Sequence, residues 1–235
     1  MRAIRLSPLL LLGLSACGPG PDPQAAVKAK AQQDAADAAK MAQDVDAALA
    51  SENWTLARAQ CDVLAFRHPG SAEVTQRADA CRAAKSKADA QAEDARLKGL
   101  WAYQTTPVGK GRQLNASIYS KEIIDTGAGR TRARLIFRDH PAWGRSSYVV
   151  IENGDFDCYG GCTLKMTVDG MPRSMAGSRP KTDEAIAMFV EDERALWRTV
   201  KKARTLTIKL PLKGAPAREA TFEVGGLDAT RMPGW

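Results

Sequence analysis

The chain has little histidine and few aromatic residues, and its one conspicuous apolar run is short. Its 235 residues include two histidines, His68 and His140, and aromatic residues make up 6%. These two positions do not have the spacing of zinc ligands, which argues against a zinc site. The apolar run Leu9–Leu14 is far shorter than the roughly 20 residues of a membrane-spanning helix.

Motifs that would indicate catalysis or a cofactor are also missing. The sequence contains no phosphate loop, dinucleotide fingerprint, zinc-protease helix or nucleophile elbow. We therefore expect no catalytic residues, no cofactor and no metal, and we predict that the protein is not an enzyme.

The first sixteen residues have the three parts of a secretory signal. Two arginines precede the apolar leucine run, and small residues precede Cys17. The stretch Leu14-Ser15-Ala16-Cys17 resembles the lipobox of bacterial lipoproteins. The resemblance implies cleavage before Cys17 and lipid attached to Cys17, which would hold the protein on a membrane of the cell envelope. In lipoproteins of the enteric type, Gly18 after the cysteine favours the outer membrane, so we expect the protein to be anchored there and to face the periplasm.

Composition divides the chain into four segments. Residues 1–16 are the expected signal peptide, and residues 17–23 are the expected lipidated tether, because their glycines and prolines disfavour helix and strand. Residues 24–97 are predicted as a helical arm and residues 98–235 as a β-rich globular domain. The predicted fold class is therefore α+β.

The positive charge of the chain is concentrated in its last segment. Residues 98–235 carry 22 basic and 15 acidic residues. A basic surface of this kind attracts an acidic protein, anionic lipid or cell-wall polymers. Nucleic acid is not an expected partner, because the protein is predicted to be exported.

The helical arm is predicted to contain three helices. Small apolar residues recur at steps of three and four over residues 24–50, a second helix runs from Trp54 to Arg67, and Ser71 is the expected N-cap of a third. The second helix resembles that of a tetratricopeptide-type repeat, in which the matching residues are Trp54, Ala57, Cys61, Leu64 and Pro69. The resemblance implies a helical hairpin. Because one repeat is too few for a peptide-binding array, we expect a spacer or a small docking surface.

Four cysteines remain when Cys17 is lipidated, and an oxidising compartment favours their pairing. Cys158 and Cys162 are close in sequence, and the two glycines between them allow a sharp turn. That pairing leaves Cys61 with Cys81, which would lie at similar heights on two antiparallel helices. We therefore predict two disulfides, one in each segment.

The β-rich domain is predicted from short runs of alternating polarity that are bounded by turn residues. The predicted strands are Leu100–Thr105, Gln113–Ser120, Arg132–Arg138, Ser146–Asn153, Cys162–Asp169, Ala185–Val190, Thr205–Leu210 and Glu219–Val224. A helix that begins at Glu191-Asp192-Glu193 interrupts the series. These elements predict an antiparallel β-sandwich or an open barrel with one covering helix.

A set of positions along this domain resembles a family of small exported bacterial domains of unknown function. The resemblance implies a sandwich-like envelope domain without known chemistry. The positions are Trp101, Ser120, Leu135, Arg138, Cys158, Cys162, Val168-Asp169, Phe189, Ala203 and Phe222–Leu227.

Three arrangements in the domain have catalytic or metal-binding counterparts elsewhere. Ser178-Arg179-Pro180-Lys181 matches the Ser-x-x-Lys pattern of penicillin-recognising serine enzymes, but its proline and second positive charge argue against that chemistry. Asp139-His140 is expected in a turn after a strand. Asp155 and Asp157, with Glu152 nearby, are too few oxygen donors for calcium and are expected to be hairpin-turn carboxylates.

The remaining candidates are surface aromatic and basic residues, which are common at protein–protein contacts. Our hypothesis is a lipoprotein that binds an envelope or secreted protein, as an inhibitor or immunity module, without catalysis. The alternative is a structural envelope lipoprotein that contacts the cell wall, and a third class is a hydrolase with an unrecognised site. The candidate partner-binding residues are Trp143, Arg145, Tyr148, Tyr159 and Arg173, and Trp235 is a further aromatic that would join them if they cluster.

Overall fold

The computed structural model describes residues 22–182 and 186–235. Contacts divide the chain into two compact units, of which one ends at Ala88 and the other spans Asp89–Trp235. The predicted signal peptide and lipidation site, Cys17, lie outside the described residues. Within the described ranges, no helix has both the length and the apolar composition needed to cross a membrane.

Three helices follow one another at the start of the described chain: α1 (Pro23–Ala50), α2 (Trp54–Arg67) and α3 (Ala72–Gly99). Their first turns are capped by side chains that accept backbone N–H groups. Asn53 accepts the N–H of Leu56 at 3.2 Å, and Ser71 accepts the N–H of Val74 at 3.3 Å. The predicted bounds of α2 and the predicted N-cap of α3 are both confirmed.

The helical unit, which we define as the described residues up to Ala88, has a core of small side chains. Its buried apolar residues are Cys61, Val45, Leu64 and six alanines, Ala38, Ala42, Ala48, Ala57, Ala84 and Ala88. The predicted disulfide between Cys61 and Cys81 joins α2 to α3. Arg77 also links α3 to α1, because its guanidinium donates to both oxygens of Asp46 at 2.9 and 2.7 Å.

The first half of α1 is exposed. Val27, Ala31 and Ala35 belong to the predicted apolar stripe but are exposed, and burial begins at Ala38. The reason is length: α2 has 14 residues and α1 has 28, so α2 covers one half of α1.

The second unit, which we call the β unit, contains eleven strands and one α-helix after α3 within the described ranges. The strands are β1 (Trp101–Val108), β2 (Gly111–Tyr119), β3 (Ile124–Asp125), β4 (Arg130–Thr131), β5 (Arg134–His140), β6 (Gly144–Val150), β7 (Cys162–Val168), β8 (Met171–Ser178), β9 (Ala187–Val190), β10 (Leu206–Leu210) and β11 (Arg218–Phe222). The helix is α4 (Glu193–Val200), with Asp192 as its N-cap.

Nine of these strands form one antiparallel sheet in the order β1-β2-β5-β6-β9-β8-β7-β10-β11, and β3 pairs with β4 separately. The inward residues alternate along each strand, as Leu135 and Phe137 do on β5. They form one core around Phe137, Phe156 and Phe222, and α4 adds Leu196, Trp197 and Val200. The predicted α+β fold with a helical arm is confirmed, as is the helix in the β-rich segment.

The two end strands of the sheet approach each other. The indole N–H of Trp101 on β1 donates to the carbonyl of Val224, just after β11, at 3.3 Å. The N–H of Lys121, just after β2, donates to the carbonyl of Thr221 on β11 at 2.7 Å. One continuous curled sheet with neighbouring ends corresponds to the open barrel of the two predicted forms.

Candidate functional site

The sheet opens between β8 and its neighbour β9. Strand β7 pairs with β8 over its whole length, from Met171 to Gly177. On the other side, β9 pairs with β8 at Gly177 and Ser178 alone among the described residues. Because the chain turns away after β9 to form α4, residues 171–175 of β8 have no strand on the side opposite β7 in the described structure.

A groove of about 650 Å³ lies at this opening, between β7 and β8 on one side and α4 on the other. We call it the methionine groove. Its apolar floor includes Met166, Met171 and Met175, together with Val168 and Leu196. Methionine is unbranched and polarisable, so it adapts to ligands of different shape. Met171 is 63% exposed, so the floor presents apolar surface to solvent.

Three cationic side chains line the methionine groove: Arg173 from β8, Arg198 from α4 and Lys202 just after α4. All three are exposed. None of them has an ion-pair partner in the described part of the chain. The groove therefore combines an apolar floor with a positive rim.

Asp169 is the acidic residue among the described lining residues, and its carboxylate is already hydrogen-bonded. Its carboxylate accepts the backbone N–H groups of Thr205 at 2.8 Å and Arg204 at 2.9 Å. These hydrogen bonds, that of Thr205 above all, outweigh the effect of burial and hold the pKa of Asp169 below its usual value. Asp169 stays ionised to fix the turn, and its charge is directed at the backbone rather than at the three rim cations.

The predicted partner-binding residues lie at four separate places in the β unit. Arg173 is on the rim of the methionine groove. Trp143 and Tyr148 lie together on the outer face of β5 and β6, because the guanidinium of Arg138 stacks 5.4 Å from the ring centroid of Trp143 and 5.3 Å from that of Tyr148. Burial raises the pKa of the Tyr148 phenol, and the charge of Arg138 offsets part of that rise.

Tyr159 lies at a third place, against the buried Arg179. The guanidinium of Arg179 is 5.2 Å from the ring centroid of Tyr159, and its Nε donates to Asp155 at 2.8 Å. The hydroxyl of Tyr159 also bonds Asp155. This network packs beside the predicted Cys158–Cys162 disulfide, which the structure contains. It fixes a loop, and Tyr159 remains 37% exposed.

Arg145 lies at the fourth place, and Trp235 is close to it in the core. Arg145 faces Asp139 across β5 and β6 with 4.0 Å between Nε and Oδ2. The ring of Trp235 lies 5.4 Å from Phe137 and 5.0 Å from Trp197, centroid to centroid. The six aromatic and basic candidates therefore do not form one recognition surface.

The catalytic and metal-binding patterns have structural roles. Ser178 ends β8 rather than lying on a helix, and its hydroxyl bonds Glu191. Asp139 and His140 were expected in a turn, but they are the last two residues of β5. The Nδ1 atom of His140 accepts the N–H groups of Ala142 and Trp143 in the turn that follows, at 3.1 and 3.2 Å. Across the described ranges, no group of three or more His, Cys, Asp or Glu side chains is placed to hold a metal ion.

Most of the methionine groove was not identified from the sequence, because β8 was not predicted. Pro172 and Gly177 lower the β propensity of this segment and obscure its alternation. A usable signal was present in Asp169-Gly170, whose φ angles are +47° and +82°. Asp-Gly with two left-handed residues is typical of a two-residue hairpin turn, and it joins β7 to β8.

The groove can bind a ligand that is both apolar and acidic. It offers methionine side chains, which provide adaptable apolar contact, and guanidinium and ammonium groups, which attract carboxylates.

No protein-family model matches the chain, and no curated protein or solved structure matches it either.

Proposed function

We propose that this protein is a non-catalytic binding module, anchored by lipid on Cys17 to the outer membrane, facing the periplasm. It binds an envelope or secreted protein through the methionine groove and acts by occupying that protein, as an inhibitor or immunity module does. The observation that carries the proposal is the groove itself. Met171 of its methionine floor is exposed, and three cations on its rim have no ion-pair partner in the described structure.

Burial of the apolar floor of the groove would favour binding of a partner. Full burial of a methionine side chain contributes about 1.5–3 kcal/mol relative to exposure. Met171 is 63% exposed, so a partner that covers it gains roughly 1–2 kcal/mol from this side chain alone. Arginine at the edge of such a floor is frequent among residues that dominate binding energy.

The rim supplies selectivity. Arg173, Arg198 and Lys202 come from both walls of the groove, so an acidic group inside it meets positive charge on two sides. This arrangement attracts an acidic partner at a distance and repels a basic one. It agrees with the positive excess of residues 98–235.

The test is affinity capture from periplasmic and secreted fractions, with a chain carrying Cys17→Ser as bait. Arg198→Gln with Lys202→Gln removes two rim charges. Lys201→Gln with Lys165→Gln removes the same charge from exposed positions outside the groove. We expect one protein to be retained stoichiometrically by the parent and by the outside variant, and to be lost from the rim variant.

Three results would contradict the proposal. Equal retention by both double variants would show that the groove is not the binding site. Retention of cell-wall fragments alone would favour the structural lipoprotein instead. Turnover of a substrate that is abolished by His140→Ala would require a catalytic function.

A further inference from the structure

The free edge of β8 presents backbone hydrogen-bonding groups to the methionine groove. On the β9 side, the carbonyl of Ala176 accepts the N–H of Glu191 at 2.9 Å. Backbone groups of alternate residues point to the same side of a strand. The N–H and carbonyl of Ser174 and the carbonyl of Pro172 therefore point to the open side, where the described chain has no strand.

The position beside this edge is the one that a longer β9 would occupy. The register Gly177↔Val190 and Ser178↔Phe189 continues through the Glu191–Ala176 hydrogen bond. One residue later, Asp192 accepts the N–H of Ala195 and begins α4. The chain thus leaves the sheet while β8 runs on for about five more residues, which is roughly 17 Å of unpaired strand.

The side chains that flank this position define what it accepts. Met171, Arg173 and Met175 point to the inner face, since they pair with Val168, Met166 and Leu164 on β7. Across the gap stand Arg198 and Lys202. A strand placed here directs every second side chain between methionines and cations, so aliphatic and acidic residues fit those inward positions.

We propose that the ligand of the methionine groove is an acidic, extended peptide segment, which adds as an antiparallel strand to the free edge of β8. Its main chain pairs with Ser174 and Pro172, as in other cases of strand addition. Its inward side chains alternate between aliphatic residues on the methionines and carboxylates at Arg173, Arg198 and Lys202. This inference rests on the proposed function and adds the chemistry and the conformation of the partner.

Charge complementarity favours such a peptide over a second copy of this chain. Two copies paired through β8 would bring Arg173 of each against the cations of the other, and like charges facing across strands destabilise the pair. A strand edge next to a narrow groove also selects an extended segment, because a helix satisfies its own backbone and leaves Ser174 unpaired.

The probe is a fluorescein-labelled peptide, acetyl-Glu-Thr-Val-Thr-Asp-Thr-Leu-amide, titrated by anisotropy at low salt against the chain carrying Cys17→Ser. In an antiparallel ladder, directly opposed residues share a face, and every second opposed pair exchanges hydrogen bonds. Ser174 would belong to such a hydrogen-bonded pair, because its backbone groups point to the open side. Residues opposite Ser174 therefore point outward, so in this probe the threonine N–H groups face β8. N-methylation of the threonines blocks pairing, whereas N-methylation of valine and aspartate is the matched control.

Two substitutions test the protein side of the same contact. Ser174→Pro removes the edge donor at a position where proline is tolerated, because its nitrogen points away from β7. Ser174→Ala keeps that donor and is the control. Ser174→Pro removes one hydrogen bond to the probe and leaves a carbonyl of the probe unpaired. This change should weaken the affinity for the probe about tenfold.

We expect the unmethylated and control-methylated probes to bind, the threonine-methylated probe to lose binding, and hydrogen exchange of the Ser174 amide to slow on binding. Ser174→Pro should weaken the probe, while Ser174→Ala should not. If Arg198→Gln with Lys202→Gln abolishes binding but Ser174→Pro and threonine methylation do not, strand addition is wrong while the groove remains the site. If the probe does not bind the parent chain at millimolar concentration, the acidic-peptide ligand is wrong, although protein capture through the groove can still succeed.

Discussion

Replacing Cys61 and Cys81 with serine should unfold the helical unit while the β unit stays folded. The disulfide closes a loop with a sequence separation of 20 residues. Its removal from a chain of that loop length costs about 3 kcal/mol in the chain-entropy treatment. That loss is large for this unit, because its buried alanines contribute about 0.8 kcal/mol per methyl group, and the larger Val45 and Leu64 about 2 kcal/mol each.

The two units can be followed separately by circular dichroism. Helices α1, α2 and α3 contain 28, 14 and 28 residues and α4 contains 8, so ellipticity at 222 nm reports mainly on the first three. The near-ultraviolet signal reports on the β unit, where Trp197 and Trp235 each lie within 5.4 Å of Phe137. We expect the double serine variant to lose most of its ellipticity at 222 nm at 37 °C, and to keep its near-ultraviolet spectrum.

The matched control is Cys158→Ser with Cys162→Ser. That disulfide closes a loop with a sequence separation of 4, so its removal costs less and acts on the β unit. The control should therefore leave the signal of the three helices unchanged. The reasoning is refuted if removal of the Cys61–Cys81 disulfide leaves the urea midpoint at 222 nm unchanged, or if both spectral signals disappear together.

Asp155→Asn should destabilise the β unit by about 1.5–3 kcal/mol at pH 7, because it removes a charged hydrogen-bond acceptor from the Nε of the buried Arg179. Burial raises the pKa of Asp155, but the hydrogen bonds from Tyr159 and Arg179 lower it to below the ordinary 3.8. The stabilisation is therefore present above pH 4 and is lost as the pH falls through the folded-state pKa. Urea unfolding followed by tryptophan fluorescence should show the stability difference between variant and parent narrowing as the pH falls below 3.8 and through the lowered pKa of Asp155. A constant difference would contradict this account. Cys17→Ser should release the protein from membranes, and continued attachment after a carbonate wash would exclude the lipid anchor.

The elements that the sequence predicted well are those in which local pattern and local chemistry agree. Helix α2 has the predicted bounds Trp54–Arg67, since Asn53 caps its start and His68-Pro69-Gly70 follows its end. The two disulfides were predictable because few pairings of four cysteines were open, and each predicted pair lies within one unit. In these cases neighbours in sequence decide the structure.

Most of what determines strand β8 is not local, although Asp169-Gly170 marks the turn before it. Gly177 is required by a close approach, since an added Cβ would lie 2.6 Å from Cδ1 of Leu164 on β7. Pro172 is tolerated because its nitrogen faces the open edge. Neither fact is visible in the segment alone. Strand β8 forms part of one wall of the methionine groove. Because the strand was not predicted, the sequence analysis identified Arg173 on the rim but not the methionines of the floor.

The positions of the aromatic candidates were difficult to predict for a different reason. Trp143 and Tyr148 share a face because β5 and β6 form a hairpin with Arg138 between the two rings. Trp235 instead packs on Phe137, which is distant in sequence. Composition identified aromatic residues as a class, whereas the strand register decided which of them reach solvent.

The unpaired stretch of β8 also bears on how the protein behaves at high concentration. An exposed strand edge is a template for self-association, and natural sheets protect such edges with proline, charge or short length. Here Pro172 removes one donor from the open side, and Arg173 places a cation on the same short edge. Polyanions that neutralise this cation would remove part of the protection. Aggregation in concentrated samples should therefore begin at this edge and should increase when such additives are present.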